Sequence, residues 1–188
     1  WAPLAPERVR VLPDTVDERF TPGPKPSHLL ERYALEDKKV LLTVGRISAA
    51  ENYKGHDRVI ELLPKLLESH PDVVYVVAGD GDGRAALERL ADWLGVAHAC
   101  RFIGKISESD LIDLYRMADL FVMPSKGEGF GIVYLEAMAS GLPVSAAGSP
   151  RCTKCQSALP WLVEAGDAEF GGAVDTKRLV LVDLWAPW

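Results

Sequence analysis

The chain has 188 residues, 48% of them hydrophobic and 26% charged, with a formal net charge of −6. That is enough chain for one domain with a proper core, and the acidic balance argues against a partner held by nucleic-acid phosphates. No apolar run approaches the ~20 residues of a membrane helix.

The N-terminus, Trp1-Ala2-Pro3-Leu4-Ala5-Pro6, has no basic region followed by an apolar stretch, so no signal peptide is expected, and a chain opening without methionine reads as a fragment. Residues 1–37 are proline-rich and lack a sustained period beyond Val9-Arg10-Val11-Leu12. They are expected to form a lead-in segment and linker. From Lys39 the pattern becomes regular. Val40-Leu41-Leu42-Thr43-Val44 predicts a buried strand, and His56 to Leu67 a helix with Val59, Ile60, Leu63, Leu66 and Leu67 on one face. Val73 to Val77 predicts a second strand, closed by Gly79-Asp80-Gly81-Asp82-Gly83. Leu87, Leu90, Ala91 and Leu94 then mark a helix stopped at Gly95. Arg101 to Gly104 is a short strand. Ser107 is expected to cap a helix whose apolar face is Leu111, Leu114, Tyr115 and Ala118.

The apolar run Leu120-Phe121-Val122-Met123 ends at Pro124. After it come Glu128-Gly129-Phe130-Gly131, an apolar helical segment from Ile132 to Ala139, a stop at Gly141 and a strand from Val144 to Ala147. A strand, glycine turn and helix of this kind presents uncapped N–H groups to an anion. Glu128 and Glu136 flank that turn. Strands that are unbroken apolar runs alternating with helices predict a Rossmann-like parallel sheet with helices on both faces, occupying residues 38–148. Residues 149–188 carry no convincing period, except that Arg178 to Leu184 fits one more strand.

Ligands of such sheets bind beyond the carboxyl ends of the strands. Arg46, the 79–83 turn, Gly104-Lys105 and Glu128 to Gly131 all follow strand ends and are expected to converge on one crevice. Arg46 and Lys54 are the candidates for gripping an anion, the first bidentately and the second as a point charge. Glu136 sits in an apolar helical segment, where a carboxylate is costly unless bonded. A ribose diol would supply the bond, and a place on the solvent face is the weaker alternative. The glycines of 79–83 lack the third glycine of a dinucleotide fingerprint and read as a tight turn. His56 reads as a helix-start residue, and His28, His70 and His98 have no partner at catalytic spacing. Cys100, Cys152 and Cys155 are too few for a disulfide framework or a four-ligand zinc site, so no metal is expected and the compartment reads as cytoplasmic.

Glu128 to Val144 resembles the E-x7-E signature of retaining glycosyltransferases of family 4, the group 1 glycosyltransferases. Val44-Gly45-Arg46, Tyr53-Lys54-Gly55-His56-Asp57, Val77-Ala78-Gly79-Asp80-Gly81, Phe102-Ile103-Gly104 and Met117 to Ser125 follow the same pattern, and the likeness covers about residues 9 to 148. It implies the C-terminal, donor-binding half of a two-domain GT-B enzyme that transfers a sugar, hexosyl by expectation, from a nucleotide diphosphate sugar with retention. By matched position Arg46 and Lys54 hold the donor diphosphate and Glu136 the ribose. Lys105 and Ile106 lie near the base, and Glu128 with Gly129, Phe130, Gly131, Ile132 and Val133 contacts the sugar. No cofactor is implied, and a sugar or lipid-linked acceptor would come through an N-terminal domain, at the inner membrane face. The rival reading is a nucleotide-sugar-binding module without turnover.

Overall fold

The computed structural model describes residues 16–50, 54–125, 131–146 and 181–182. Its elements in chain order are helix α1 (Ser27–Tyr33), strand β1 (Lys39–Val44), helix α2 (His56–Ser69), strand β2 (Val73–Ala78), helix α3 (Arg84–Trp93) and strand β3 (Cys100–Gly104). Helix α4 (Glu108–Met117), strand β4 (Leu120–Met123), helix α5 (Ile132–Ala139), strand β5 (Val144–Ala146) and strand β6 (Leu181–Val182) follow. All strands pair in parallel, in the order β3-β2-β1-β4-β5-β6. This is the Rossmann-like α/β fold expected from the alternation of apolar runs and helices. β6 falls within the strand expected at 178–184, and the rest of 149–188 lies outside the described residues.

Alternation along each strand sends side chains to two faces, and each face has its own core. On one, Val40 and Leu42 of β1, Val74 and Val76 of β2, and Phe121 and Met123 of β4 pack against α1, α4 and α5 through Leu29, Leu114, Tyr115 and Ala137. On the other, Tyr75 and Val77 of β2 and Val122 of β4 meet Val59, Ile60 and Leu63 of α2 and Leu87 and Ala91 of α3. α2 runs through Pro64, which removes one helical N–H bond. Complete burial of Ile60 and Leu63, at about 1.5–3 kcal/mol per side chain, outweighs that loss.

The lead-in is not detached. α1, which the proline-rich composition conceals, buries Leu29, and the turn after it buries Leu35, so the folded unit begins before residue 38. Further upstream, Phe20 packs edge-on against Tyr115, Arg116 donates to the Thr21 carbonyl at 2.9 Å, and Lys25 pairs with Asp119 at 2.7 Å. Ser107 caps α4 as expected, accepting from the Asp110 N–H at 3.2 Å. The chain passes from β1 out to β3 and then returns to place β4 on the other side of β1. The strand order therefore reverses between β1 and β4, the place where such sheets bind ligands.

Candidate functional site

The carboxyl ends of β1, β2 and β3 open into a cleft of about 770 Å³ lined by Val44, Gly45, Arg46, Ala78, Gly79, Asp80, Gly81, Lys105, Ile106 and Leu111. Three of the four segments expected to converge therefore do so. Arg46, Lys105 and Ile106 share one cavity, with the 79–81 turn as its floor. The fourth is only partly described. Glu128, Gly129 and Phe130 lie outside the described residues, while Gly131, Ile132, Val133 and Glu136 stand on or beside α5 and are not among the residues lining the cleft.

Backbone packing sets the shape of the floor. The β1 and β2 ends continue to pair past the strands: the Gly45 N–H donates to the Ala78 carbonyl at 2.9 Å, Ile47 to Asp80 at 3.1 Å, and Gly83 back to Ile47 at 3.1 Å. The Asp82 carboxylate then accepts from the Ala49 N–H at 2.8 Å, tying the first residues of the 47–53 loop to the second turn. At Gly79, with φ +142°, a Cβ would overlap the Gly45 carbonyl oxygen, so only glycine allows the two turns to stack. A register shift between β2 and β3 leaves Ile103 without a partner in the ladder and sets Gly104 opposite Ala78, which carries the chain round to Lys105 at the cleft.

Lys54, just before α2, lies against Gly45 and is not among the residues lining the cleft. A Cβ built on Gly45 would lie 3.3 Å from its Cδ and 3.5 Å from its Nζ, so its stem runs along Gly45, next to exposed Arg46. Gly55, at φ +75°, presses against the far side of the switch point, where a Cβ would come 2.6 Å from the Pro124 carbonyl oxygen. Arg46 and the Lys54 stem thus both stand at the β1 end, and α2 begins against the β4 end.

Across β4, Tyr134 anchors α5 by donating to the Met123 carbonyl at 2.7 Å, with its ring against Gly131. Glu136 is half-buried and accepts at Oε2 from the Tyr115 hydroxyl at 2.7 Å. The protein itself thus supplies one bond to this carboxylate, from a partner that the sequence reading did not name. Burial, and then the charge of Glu136, push the Tyr115 phenol far above its ordinary value, so it remains a donor. Sequence reasoning missed Tyr115 and Leu111 as site residues because both fit the apolar stripe of α4. A tyrosine hydroxyl on such a stripe, needing a buried partner, was the available signal.

His56 is more than a helix-start residue. It is 4% exposed, and its Nδ1 lies 3.2 Å from the Tyr75 hydroxyl, which lies 2.8 Å from Thr43 Oγ1. Thr43 in turn donates to the Val122 carbonyl. Each hydroxyl has one hydrogen, and a carbonyl cannot donate. Thr43 therefore accepts from Tyr75, and Tyr75 accepts from His56, which fixes the proton on Nδ1. Nε2 is buried without a hydrogen-bond partner among the described residues. Burial first, and then Lys54, push the imidazole down to about 4, against weaker opposing contributions from Asp57 and the Arg46 backbone.

A stability consequence follows. Between the ordinary value of 6.5 and about 4 the unfolded chain takes up a proton at His56 that the folded chain refuses. Stability should therefore fall as pH is lowered through that window, by up to about 3 kcal/mol, with no further loss from this group below it. Urea unfolding at pH 7.0, 5.5 and 4.5 checks this as a difference between the chain and His56→Asn, which should lose less; parallel curves would refute it.

Among the described residues no group of three or more His, Cys, Asp or Glu is placed to hold a metal ion, and no helix is long and apolar enough to cross a membrane. Cys100 is a buried free thiol, and burial pushes it up to about 11; Cys152 and Cys155 lie outside the described residues.

Comparison with known proteins matches residues 30–153 to the family described as Glycosyl transferases group 1. A GDP-mannose-dependent alpha-(1-6)-phosphatidylinositol monomannoside mannosyltransferase of Mycolicibacterium smegmatis is 39% identical over 147 residues, 73% of this chain and 38% of that protein. Among solved structures, WaaG, a glycosyltransferase involved in lipopolysaccharide biosynthesis, superposes with a TM-score of 0.64 at 32% identity, over 76% of this chain and 38% of that one. The C-terminal domain of a group 1 family protein, LpcC, from Francisella tularensis gives a TM-score of 0.56 at 27% identity, covering 70% of each chain. The chain spans 27 to 40% of the length of the first curated relatives it matches.

Proposed function

The chain belongs to the group 1 glycosyl transferases, and from that premise we propose that it is the donor-binding half of a GT-B enzyme that transfers a sugar from a nucleotide diphosphate sugar, with retention of configuration. The observation that carries this reading is Arg46 in the cleft, with the Lys54 stem along the neighbouring Gly45, over a glycine floor that lets a ligand approach the backbone.

In this reading the two cations hold the diphosphate and stabilise the charge that develops on it as the glycosidic bond breaks. That is electrostatic catalysis by pre-positioned groups, and the proposal assigns it to these side chains rather than to a resident cofactor. The apolar wall of Ile106 and Leu111 suits a base, with Lys105 at its edge. Glu136, already oriented by Tyr115, offers its other oxygen to the ribose. Glu128 with the Gly129 to Val133 segment would face the donor sugar. The relative that is GDP-mannose-dependent supports a nucleotide-sugar donor, and the likeness to an isolated C-terminal domain supports the assignment to the donor half. The acceptor, sugar or lipid-linked, would be held by an N-terminal domain, in the cytoplasm or against the inner membrane face.

Calorimetric titration with UDP-, GDP- and ADP-sugars tests the proposal. One of the three should bind saturably, and Glu136→Gln should weaken that binding about tenfold by removing a charge-assisted bond. Glutamine keeps an acceptor for Tyr115, so the urea midpoint should hold. Unchanged affinity would confine Glu136 to supporting Tyr115, and silence with all three donors would defeat the donor reading. Turnover by these 188 residues with a bound donor and a panel of acceptors separates the enzyme from a nucleotide-sugar-binding module.

A further inference from the structure

The donor reading, on which this inference rests, leaves the buried chain Val122–Thr43–Tyr75–His56 without a task. These four residues come from β4, β1, β2 and the first turn of α2, and the strands are those whose ends surround the switch point. A helix that needed only a buried first residue would take an aliphatic side chain. Burying an imidazole costs desolvation, and here Nε2 has no partner among the described residues. The ring must therefore supply something that an apolar side chain cannot, which is a directed N–H bond to Tyr75.

Position shows what that bond holds. His56 follows Gly55, and Gly55 follows Lys54. Gly55 is pinned on one side by Pro124, and the Arg46 backbone faces the imidazole ring. Lys54 and Asp57, with opposite effects, are the side-chain charges acting on that ring, and Tyr75 is its hydroxyl partner. We propose that His56 is a positioning residue for the diphosphate cations: its ring, docked on Tyr75 through Nδ1–H, fixes the Gly55 turn and so holds Lys54 over Gly45 beside Arg46. A free lysine would lose rotamer entropy on binding, and a pre-set one has already paid it.

The test compares affinities for a nucleoside diphosphate and the matching monophosphate in the full 188-residue chain and in His56→Leu, Tyr75→Phe and His56→Asn. His56→Leu should weaken the diphosphate about tenfold and the monophosphate by less than about twofold, the size of one misplaced charge-assisted bond. Tyr75→Phe, which removes the acceptor and leaves the ring, should show the same asymmetry. Asparagine carries an amide N–H near the place of Nδ1–H, and His56→Asn should recover most of the loss. If His56→Leu does not fold, the other two variants carry the comparison. Equal losses for both nucleotides, no loss at all, or no recovery with asparagine would overturn the proposal. Lys54→Met separates the two levels of the account. If Lys54→Met cuts the diphosphate preference about tenfold and His56→Leu keeps it whole, only the role of His56 falls. If the unmodified chain shows no preference, the cation reading falls and this inference with it.

Discussion

Gly79→Ala should destabilise the chain by about 3 kcal/mol or more. Two costs add at this position. The backbone at φ +142° lies where alanine is strained, at about 1–3 kcal/mol. The added carbon would also overlap the Gly45 carbonyl oxygen, and neither partner can move aside. Gly45 is held by its bond to Ala78, and Gly79 by its own N–H bond to the Gly104 carbonyl at 2.8 Å. Relief would require parting the ends of β1 and β2, which would also dismantle the cleft floor. Gly95 is the control: its φ is +72°, but a Cβ there meets nothing within 4 Å, so Gly95→Ala should cost only the backbone strain. Urea unfolding of the two variants should separate them by at least about 1.5 kcal/mol. Equal midpoints would show that the stacked turns do not constrain the fold.

The same turns explain how much of the molecule could be read in advance. Strands such as Val73–Ala78 are buried on both faces and therefore written as unbroken apolar runs, and helices such as Arg84–Trp93 keep a 3.6-residue period to a glycine stop. Both signals are local, so the order of elements and the α/β class were legible. α1 was not, because seven residues behind a run of prolines give too short a period and its burial of Leu29 depends on distant α4. At the site, Arg46 and Lys105 were legible because each follows a strand end, where a parallel sheet puts its ligands, and Ile106 only through the family resemblance. Two features were not. Tyr115 and Glu136 stand 21 residues apart, and nothing in either helix announces that one hydroxyl satisfies the other's carboxylate. The proton-ordered chain through Thr43, Tyr75 and His56 needs three separate elements to meet. Its members look individually like a strand threonine, a core tyrosine and a helix-start histidine.

The cation pair is the centre of the functional account, and its expected effect is also large. A charge-assisted hydrogen bond contributes about 1.5–3 kcal/mol, and because Arg46 is exposed the lower figure applies to it. Two such contacts to a diphosphate that a monophosphate cannot fully make come to about 3 kcal/mol, or roughly a hundredfold in affinity. Arg46→Ala with Lys54→Ala should remove that advantage without unfolding the chain, since neither side chain belongs to either core cluster. Screening by added salt should shrink it as well.

The most direct measurement is therefore calorimetry of a nucleoside diphosphate and the matching monophosphate on the 188-residue chain and on the Arg46→Ala, Lys54→Ala double variant. The account predicts that the chain prefers the diphosphate by about a hundredfold and that the double variant binds the two alike. Equal affinities in the unmodified chain, or a preference that survives loss of both cations, would contradict it.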